Sequence, residues 1–172
     1  MPRLSPVRTR RLVLTAVGPD DLSDLHRLHS DPETYRHAPE ARHPDVEHTR
    51  SVLEGWVEDW ERDGLGYFLL RGAAARDVVG CGGVRRGEVN WNVYYRLFPA
   101  AWGHGYATEL IRAVAPLAEQ VEPGAVLQAG IRPVNHASVA VAERLGLVLC
   151  GTQPDHAGAE QLIYQLPASE LR

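Results

Sequence analysis

The sequence predicts an α/β domain built on one mixed, largely antiparallel sheet of about seven strands, with helices on both faces. Two observations predict this class. Three strand-like runs joined by short turns follow one another at 67–71, 78–84 and 89–97, which is typical of an antiparallel meander. After them, helical and strand-like segments alternate to the end of the chain, which is typical of helices packed on a sheet.

The remaining elements follow from apolar periodicity and from turn residues. Segment 11–17 has the pattern of a strand, and Asp20 is a suitable N-cap for a helix with leucines at helical spacing. A second helix is expected from near Asp45 to a stop at Gly64, and Pro116 should kink the helix that contains it. The other predicted elements are helices at 105–121 and 135–145 and strands at 126–131, 147–152 and 161–166.

Length and composition restrict the kind of protein and its partners. The 172 residues have the size of one domain, so we expect a single unit over 1–172. The net charge is -4, and the basic residues, all of them Arg, form no run that indicates a nucleic-acid partner. No segment approaches the ~20 apolar residues of a membrane span, and residues 1–4 do not resemble a signal peptide. We therefore expect a soluble, cytoplasmic protein.

Cysteine and histidine spacing does not indicate a metal site. Cys81 and Cys150 are far apart in the sequence, which favours two reduced thiols. Histidines are frequent in the first third of the chain, but no second set of matched ligands accompanies them, so we expect solvated side chains and no metal. These residues are His26, His29, His37, His43 and His48.

The segment that joins the strand at 89–97 to the helix at 105–121 carries the strongest functional signal. Gly103 and Gly105 allow backbone angles that let several N–H groups point into one concavity. The first turn of a helix adds unpaired N–H donors and the positive end of its dipole. Such a segment binds phosphate groups, and here it predicts a diphosphate site. A Walker loop would need a Lys, and a dinucleotide fingerprint would need Gly where Thr108 stands.

This segment and a second one downstream carry a family resemblance. The pattern Leu97-x-Pro99-x-x-Trp102-Gly103-x-Gly105-Tyr106-Ala107-Thr108-Glu109 resembles the coenzyme A loop of the GNAT acetyltransferase superfamily, above all its ribosomal-protein N-terminal acetyltransferase branch. The second block is Pro133-x-Asn135-x-Ala137-Ser138, followed by Glu143-Arg144-Leu145-Gly146-Leu147. The chain departs from the family pattern at Ala100, where Gln or Arg is usual, and at Leu147, where Phe is usual.

The resemblance implies a sheet splayed between its fourth and fifth predicted strands, with acetyl-coenzyme A as the co-substrate. A bulge in the fourth strand would open the gap, and the pantetheine arm would lie in it like another strand. Asn135 would hydrogen-bond the arm, cap its own helix, or both. The implied coenzyme A contacts are Tyr95, Leu97 and Phe98 beside the arm, and the amides of Trp102, Gly103, His104, Gly105, Tyr106 and Ala107 around the phosphates.

The resemblance also implies residues for catalysis. Ser138 would donate a proton to the departing thiolate, and backbone N–H groups near Val93 and Tyr94 would bind the carbonyl oxygen. Many relatives carry a Glu that acts as the general base at the position of Asn92, and Asn cannot accept a proton. The general base is therefore open, and the candidates are His156, Glu160 and Glu88.

The acceptor pocket is expected between the first two helices and the proline-rich segment 31–44. Its candidate substrate-binding residues are Tyr35, His37, Trp56 and Asn92, of which Trp56 also fits a core position. A weak base would favour amines of low pKa, such as the α-amine of a peptide N-terminus. Peptide N-termini and small-molecule amines both remain open as acceptors.

Three interpretations of function follow. The first is an N-acetyltransferase that acts by direct attack of a primary amine on acetyl-coenzyme A in a ternary complex. The second is a coenzyme A-binding module or interaction scaffold without catalysis, which Asn92 keeps open. The third is a nucleotide-phosphate binder. The resemblance also implies a homodimer.

Overall fold

A computed structural model describes residues 5–171. Its core is one sheet of eight strands in the order β1-β2-β3-β4-β5-β6-β8-β7, in which only β5 and β6 are parallel. The predicted fold class is confirmed, and the extra strand is β1, whose two residues are too short a run to predict. The strands are β1 (Val7–Arg8), β2 (Leu12–Ala16), β3 (Tyr67–Gly72), β4 (Val78–Arg86), β5 (Trp91–Leu97), β6 (Val126–Ile131), β7 (Val148–Pro154) and β8 (Glu160–Pro167).

The α-helices are α1 (Leu22–Ser30), α2 (Val46–Asp63), α3 (Tyr106–Val121) and α4 (His136–Arg144). The expected stop and start signals of α2 are confirmed, because Asp45 accepts a hydrogen bond from the amide of His48 at 2.8 Å and Gly64 is left-handed. The predicted cap of α1 is wrong. A short 3-10 turn (Pro19–Asp21) precedes that helix, and Asp21 rather than Asp20 bonds the amide of Gly18. Helix α3 continues past Pro116, and a bend there stays a prediction.

Two apolar cores lie on opposite faces of the sheet. Successive side chains of β3 point into different cores, so that Phe68 packs in the core under α3 and α4 and Leu69 in the core under α1 and α2. The predicted helices on both faces are therefore confirmed. Within residues 5–171, none of the helices has the length and apolar character needed to cross a membrane.

The sheet opens between β5 and β6. These strands pair only at Trp91 with Leu127 and at Asn92 with Gln128, and beyond these residues β5 stays with β4 while β6 stays with β8. The predicted splay is confirmed, since β5 and β6 are the fourth and fifth strands of the sequence prediction. The expected bulge is wrong, because the pairing of β5 with β4 runs without a register shift.

Two glycines of β4 allow β5 to pack closely against β4, on the side of β5 away from the gap. A Cβ added to Gly80 would lie 2.2 Å from the carbonyl oxygen of Arg96, and one added to Gly82 would lie 2.4 Å from that of Tyr94. These distances leave no space for a side chain. The two strands therefore approach one another as closely as they do only because β4 carries glycine at these positions.

Two of the histidines are buried, so the expectation of solvated side chains is wrong for them. His29 is 1% exposed and His43 is 6% exposed, and their rings stack at 4.6 Å between α1, α2 and β5. His29 Nδ1 bonds the carbonyl oxygen of Leu25 at 2.8 Å, and Nε2 bonds the hydroxyl of Tyr94 at 2.9 Å. Burial lowers the pKa of His29 to about 3 and that of His43 to about 4, so both rings are neutral at pH 7.

The low pKa of His29 predicts loss of stability in mild acid. The unfolded chain binds a proton at His29 below pH 6.5, whereas the folded protein does so only near pH 3, so the free energy of unfolding falls as pH decreases between these values. At about pH 4.5 the loss should reach roughly 2 to 3 kcal/mol. Denaturant unfolding of wild type and of His29→Gln at pH 7 and 4.5 measures it. The variant should show a smaller decrease than wild type.

The exposed His136 provides the control, since His136→Gln should keep the wild-type decrease between the two pH values. An identical decrease in wild type and His29→Gln would contradict this origin of the acid sensitivity.

Candidate active site

The gap between β5 and β6 is the mouth of a cavity of about 620 Å³. Its walls come from β5 and β6 beyond their paired residues, from the first turns of α4, from segment 31–44 and from the turn between β7 and β8. A strand that pairs on one side only directs alternate N–H and C=O groups to its open side. The gap therefore offers the backbone of β5 to a bound chain. The lining includes Thr34, Tyr35, His37, Glu40, Val93, Tyr94, Tyr95, Arg96, Arg132, Asn135, Ser138, Asp155 and His156.

The glycine loop follows β5 and enters α3. Gly103 and Gly105 both have a φ of 76°, a left-handed conformation that favours glycine. Within residues 5–171, no acceptor bonds the backbone N–H groups from Gly103 to Thr108. The N–H of Trp102 is different, because it bonds the carbonyl oxygen of Pro99 at 3.1 Å. The expectation that the Trp102 amide binds phosphate is therefore wrong, and the free donors begin at Gly103.

The turn between β1 and β2 holds this loop in place. Arg11 donates from Nη1 to the carbonyl oxygen of His104 at 2.7 Å and from Nε to the carboxylate of Glu109 at 2.7 Å. Glu109 also accepts from the hydroxyl of Thr9 at 2.6 Å. Burial would raise the pKa of Glu109, but these hydrogen bonds outweigh it and lower that pKa. The carboxylate is thus ionised, and it ties the first turn of α3 to the turn between β1 and β2.

Of the other residues predicted to contact coenzyme A, some are exposed and some are buried in the core. His104 is exposed, its ring stacks on Tyr106 at 5.6 Å, and its Nδ1 bonds the Trp102 carbonyl oxygen. Leu97 and Ala107 are buried in the core, so only their backbone can meet a ligand. Phe98 packs against the core under α1 and α2 and carries the guanidinium of Arg27 at 4.8 Å.

Asn135 and Ser138 lie together on the α4 side of the cavity. The side-chain oxygen of Asn135 accepts from the amide of Ser138 at 3.2 Å, so Asn135 is a helix cap and a cavity residue at once. Burial raises the pKa of the Tyr95 phenol, and its interaction with the Ser138 side chain acts in the opposite direction. The structure therefore brings together two hydroxyls, Tyr95 and Ser138, that the sequence assigned to the coenzyme A arm and to the thiolate.

The candidates for the general base lie in different parts of the structure, and only one of them lines the cavity. His156 lines the cavity, but Glu160 is exposed at the start of β8 and Glu88 is exposed in the turn between β4 and β5, and neither contributes to the lining. Asn92 is also outside the lining, and its amide donates to the hydroxyl of Tyr67 at 2.8 Å.

Of the residues predicted to bind the acceptor, some line the cavity and others do not. Tyr35 and His37 line the cavity, as expected for segment 31–44. Trp56 does not, because it is 8% exposed and packs in the core with Leu25 and Leu28. The core position given as the alternative for Trp56 is therefore the one it occupies, on the inner face of α2, and a role in binding substrate stays a prediction.

Sequence reasoning missed two arginines of the cavity. Arg96 lies within β5, and Arg132 directly follows β6. Arg132 bonds the carboxylates of Glu40 and Asp155 and the carbonyl oxygen of His37, so it joins segment 31–44 to the turn between β7 and β8. Hydrogen bonds from Arg132 lower the pKa of both carboxyls. A charged residue inside an apolar strand, as at Arg96, was the available signal.

Among the described residues 5–171, no group of three His, Cys, Asp or Glu side chains is arranged to hold a metal ion. A family model described as an acetyltransferase (GNAT) domain matches residues 11–148, which is most of the chain. The chain belongs to this family. It is therefore an acyl-coenzyme A-dependent N-acetyltransferase, and the resemblance noted in its glycine loop is confirmed.

Solved structures agree with this fold. The acetyltransferase of Agrobacterium tumefaciens str. C58 has a TM-score of 0.80 at 23% identity, over 95% of this chain and 94% of that one. RimL, a ribosomal L7/L12 α-N-protein acetyltransferase solved with coenzyme A, has a TM-score of 0.80 at 18% identity, over 95% and 98%. The ribosomal-protein-S5-alanine acetyltransferase of Vibrio fischeri has a TM-score of 0.75 at 15% identity, over 98% and 100%. No curated protein sequence matches the chain.

The glycine loop of this acetyltransferase allows a test with a matched control. Gly103 has a φ of 76° and Gly124, after α3, a φ of 84°, and a Cβ at either position would meet nothing within 4 Å. Alanine at either site should therefore cost about 1 kcal/mol of stability, because the backbone strain is similar. Only Gly103 belongs to the loop with the free amides.

We expect Gly103→Ala to raise the KM for acetyl-coenzyme A about tenfold or more, the equivalent of one charged hydrogen bond. Gly124→Ala should leave that KM unchanged. Steady-state kinetics with thermal unfolding of both variants measures the difference. Equal KM values for the two variants would show that the loop does not contact the co-substrate.

Proposed function

We propose that this acetyltransferase transfers the acetyl group of acetyl-coenzyme A to a primary amine by direct attack in a ternary complex. The observation that carries the proposal is the continuity of the site. The loop with the free amides from Gly103 to Thr108 follows β5, and the open edge of β5 lines the cavity that holds the hydroxyls of Tyr95 and Ser138. A diphosphate, an extended arm and a thioester occur in this order in acetyl-coenzyme A.

In this proposal, the loop amides bind the diphosphate at the entrance of α3, where the helix dipole favours negative charge. The pantetheine arm lies in the gap and bonds the unpaired backbone groups of β5 in the manner of an added strand. The side-chain amide of Asn135 has N–H donors that its capping bond does not use, and it donates to the arm. Acetyl-coenzyme A then ends beside Ser138.

The chemistry requires one bond exchange and one proton transfer. The neutral amine attacks the thioester carbonyl carbon, a C–N bond forms, and the C–S bond breaks with its electron pair going to sulfur. A backbone N–H group on the open side of β5, near Val93 and Tyr94, binds the oxygen while its charge develops. Ser138 donates a proton to the thiolate, and the proton lost by the amine restores the hydroxyl.

The acceptor amine in this proposal has a low pKa. The cavity carboxylates Glu40 and Asp155 are both bound to Arg132, which makes them weak bases, and His156 is the remaining lining candidate. An α-amine with a pKa near 8 is roughly 10% neutral at pH 7, whereas a lysine amine near 10.4 is less than about 0.1% neutral. A site with little basic assistance therefore favours a peptide N-terminus or a small molecule with a similar amine.

Glu40 and Asp155 are already paired with Arg132, which also fits the second interpretation, a coenzyme A-binding module without turnover. It needs the loop and the gap but neither Ser138 nor a base. Family membership favours the enzyme. The cytoplasmic location and the homodimer stay predictions.

Thiol release from acetyl-coenzyme A at pH 7, measured with α-amines and lysine side-chain amines, separates the two functions. We expect turnover with α-amines and at least tenfold less with lysine amines. Ser138→Ala should lower kcat about 10- to 100-fold with little change in the KM for acetyl-coenzyme A, because its backbone amide still bonds Asn135.

Ser51→Ala, an exposed change on α2, is the matched control and should behave as wild type. Tight binding of acetyl-coenzyme A without thiol release for every amine would support the module instead. Wild-type kcat in Ser138→Ala would contradict the role of that hydroxyl.

A further inference from the structure

Arg96 brings a positive charge to the cavity that no acidic side chain neutralises. It is half-buried and lies on the cavity wall. Within residues 5–171, no Asp or Glu forms an ion pair with it. Arg132 also lines the cavity but is paired with both of the carboxylates there, Glu40 and Asp155. The lining therefore retains one cation without a counter-ion.

The groups that touch Arg96 are neutral. Its Nε donates to the hydroxyl of Tyr94 at 3.0 Å, its Nη1 donates to the carbonyl oxygen of Thr34, and its guanidinium lies 3.5 Å from the ring centre of Tyr35. Burial raises the pKa of both phenols, so neither supplies a negative charge. The Cys81 thiol is neutral as well, since burial raises its pKa to about 12.

A chain of hydrogen bonds fixes the orientation of this guanidinium. The carbonyl oxygen of Leu25 can only accept, so His29 carries its proton on Nδ1 and its Nε2 accepts from Tyr94. The Tyr94 oxygen is then available to accept from Arg96. The Tyr35 ring lies against the guanidinium and holds it from one side. Arg96 is therefore held rigidly by neighbours that give it no counter-charge.

The guanidinium also has unused donors. An arginine has five N–H groups, and the two bonds described here engage Nε and Nη1. Within the described residues, no acceptor bonds Nη2. Even partial burial of a cation without an anionic partner is costly, and a planar guanidinium with free N–H groups matches a carboxylate. The missing anion is best supplied by a ligand.

We propose that the acceptor amine carries a carboxylate, which binds to Arg96 and orients the amine toward the thioester. This inference rests on the proposed function and adds the substrate class to it. The diphosphate of acetyl-coenzyme A does not fill this role, because the loop amides at the entrance of α3 bind it. Arg96 is thus a specificity-determining residue for the acceptor.

The test compares amines that differ only in the carboxylate. L-phenylalanine is paired with phenethylamine, and the dipeptide amide Ala-Glu is paired with Ala-Gln, so that a free amino acid and a peptide side chain are distinguished as sources of the carboxylate. The measured quantity is the ratio of kcat/KM within each pair, which does not depend on the folded fraction of a variant. Wild type should prefer the carboxylate in at least one pair by tenfold or more.

Arg96→Met should reduce this ratio to about one without changing the KM for acetyl-coenzyme A, and Arg96→Lys should restore part of it. Arg50→Met, an exposed arginine on α2, is the control and should keep the wild-type ratio. Turnover with equal kcat/KM within both pairs, or an unchanged ratio in Arg96→Met, would overturn the inference and leave the proposed function intact. Absence of thiol release with all four amines would overturn both.

Discussion

The site depends on the loss of pairing between β5 and β6. After Asn92 and Gln128 the two strands separate, each still bonded to its outer neighbour, so the opening does not unravel the sheet. Gly80 and Gly82 keep β5 close to β4. Backbone groups that would be paired in a closed sheet then face a cavity, where an extended ligand can bond them. The loop with the free amides begins where β5 ends, so one strand aligns both parts of the site.

Charge is distributed unequally around this cavity. Glu40, Arg132 and Asp155 neutralise one another while they hold segment 31–44 against the turn between β7 and β8. Arg96 has only neutral partners, and its position is fixed through Tyr94. One arginine thus closes the wall of the pocket, whereas the other is left to a ligand. The aromatic and histidine cluster that fixes Arg96 also contains His29, whose pKa is lowered by burial.

The features predictable from sequence are those that short segments encode. Gly103 and Gly105, the cap at Asp45 and the cap at Asn135 depend on neighbours within a few residues, and all adopt the expected conformation. Contacts between distant segments were not predictable, such as Arg132 with Glu40. For the same reason the sequence leaves two positions open for Trp56, the acceptor pocket and the core, and the structure has it in the core.

The central claim is that amides from Gly103 to Thr108 bind the diphosphate of a coenzyme A molecule lying in the gap. Amide hydrogen exchange of these residues, with coenzyme A and with pantetheine, tests it most directly. The account predicts fast exchange in the free protein, strong protection by coenzyme A, and no protection of the loop by pantetheine, which lacks the diphosphate. Saturating coenzyme A that leaves exchange in the loop unchanged would contradict it.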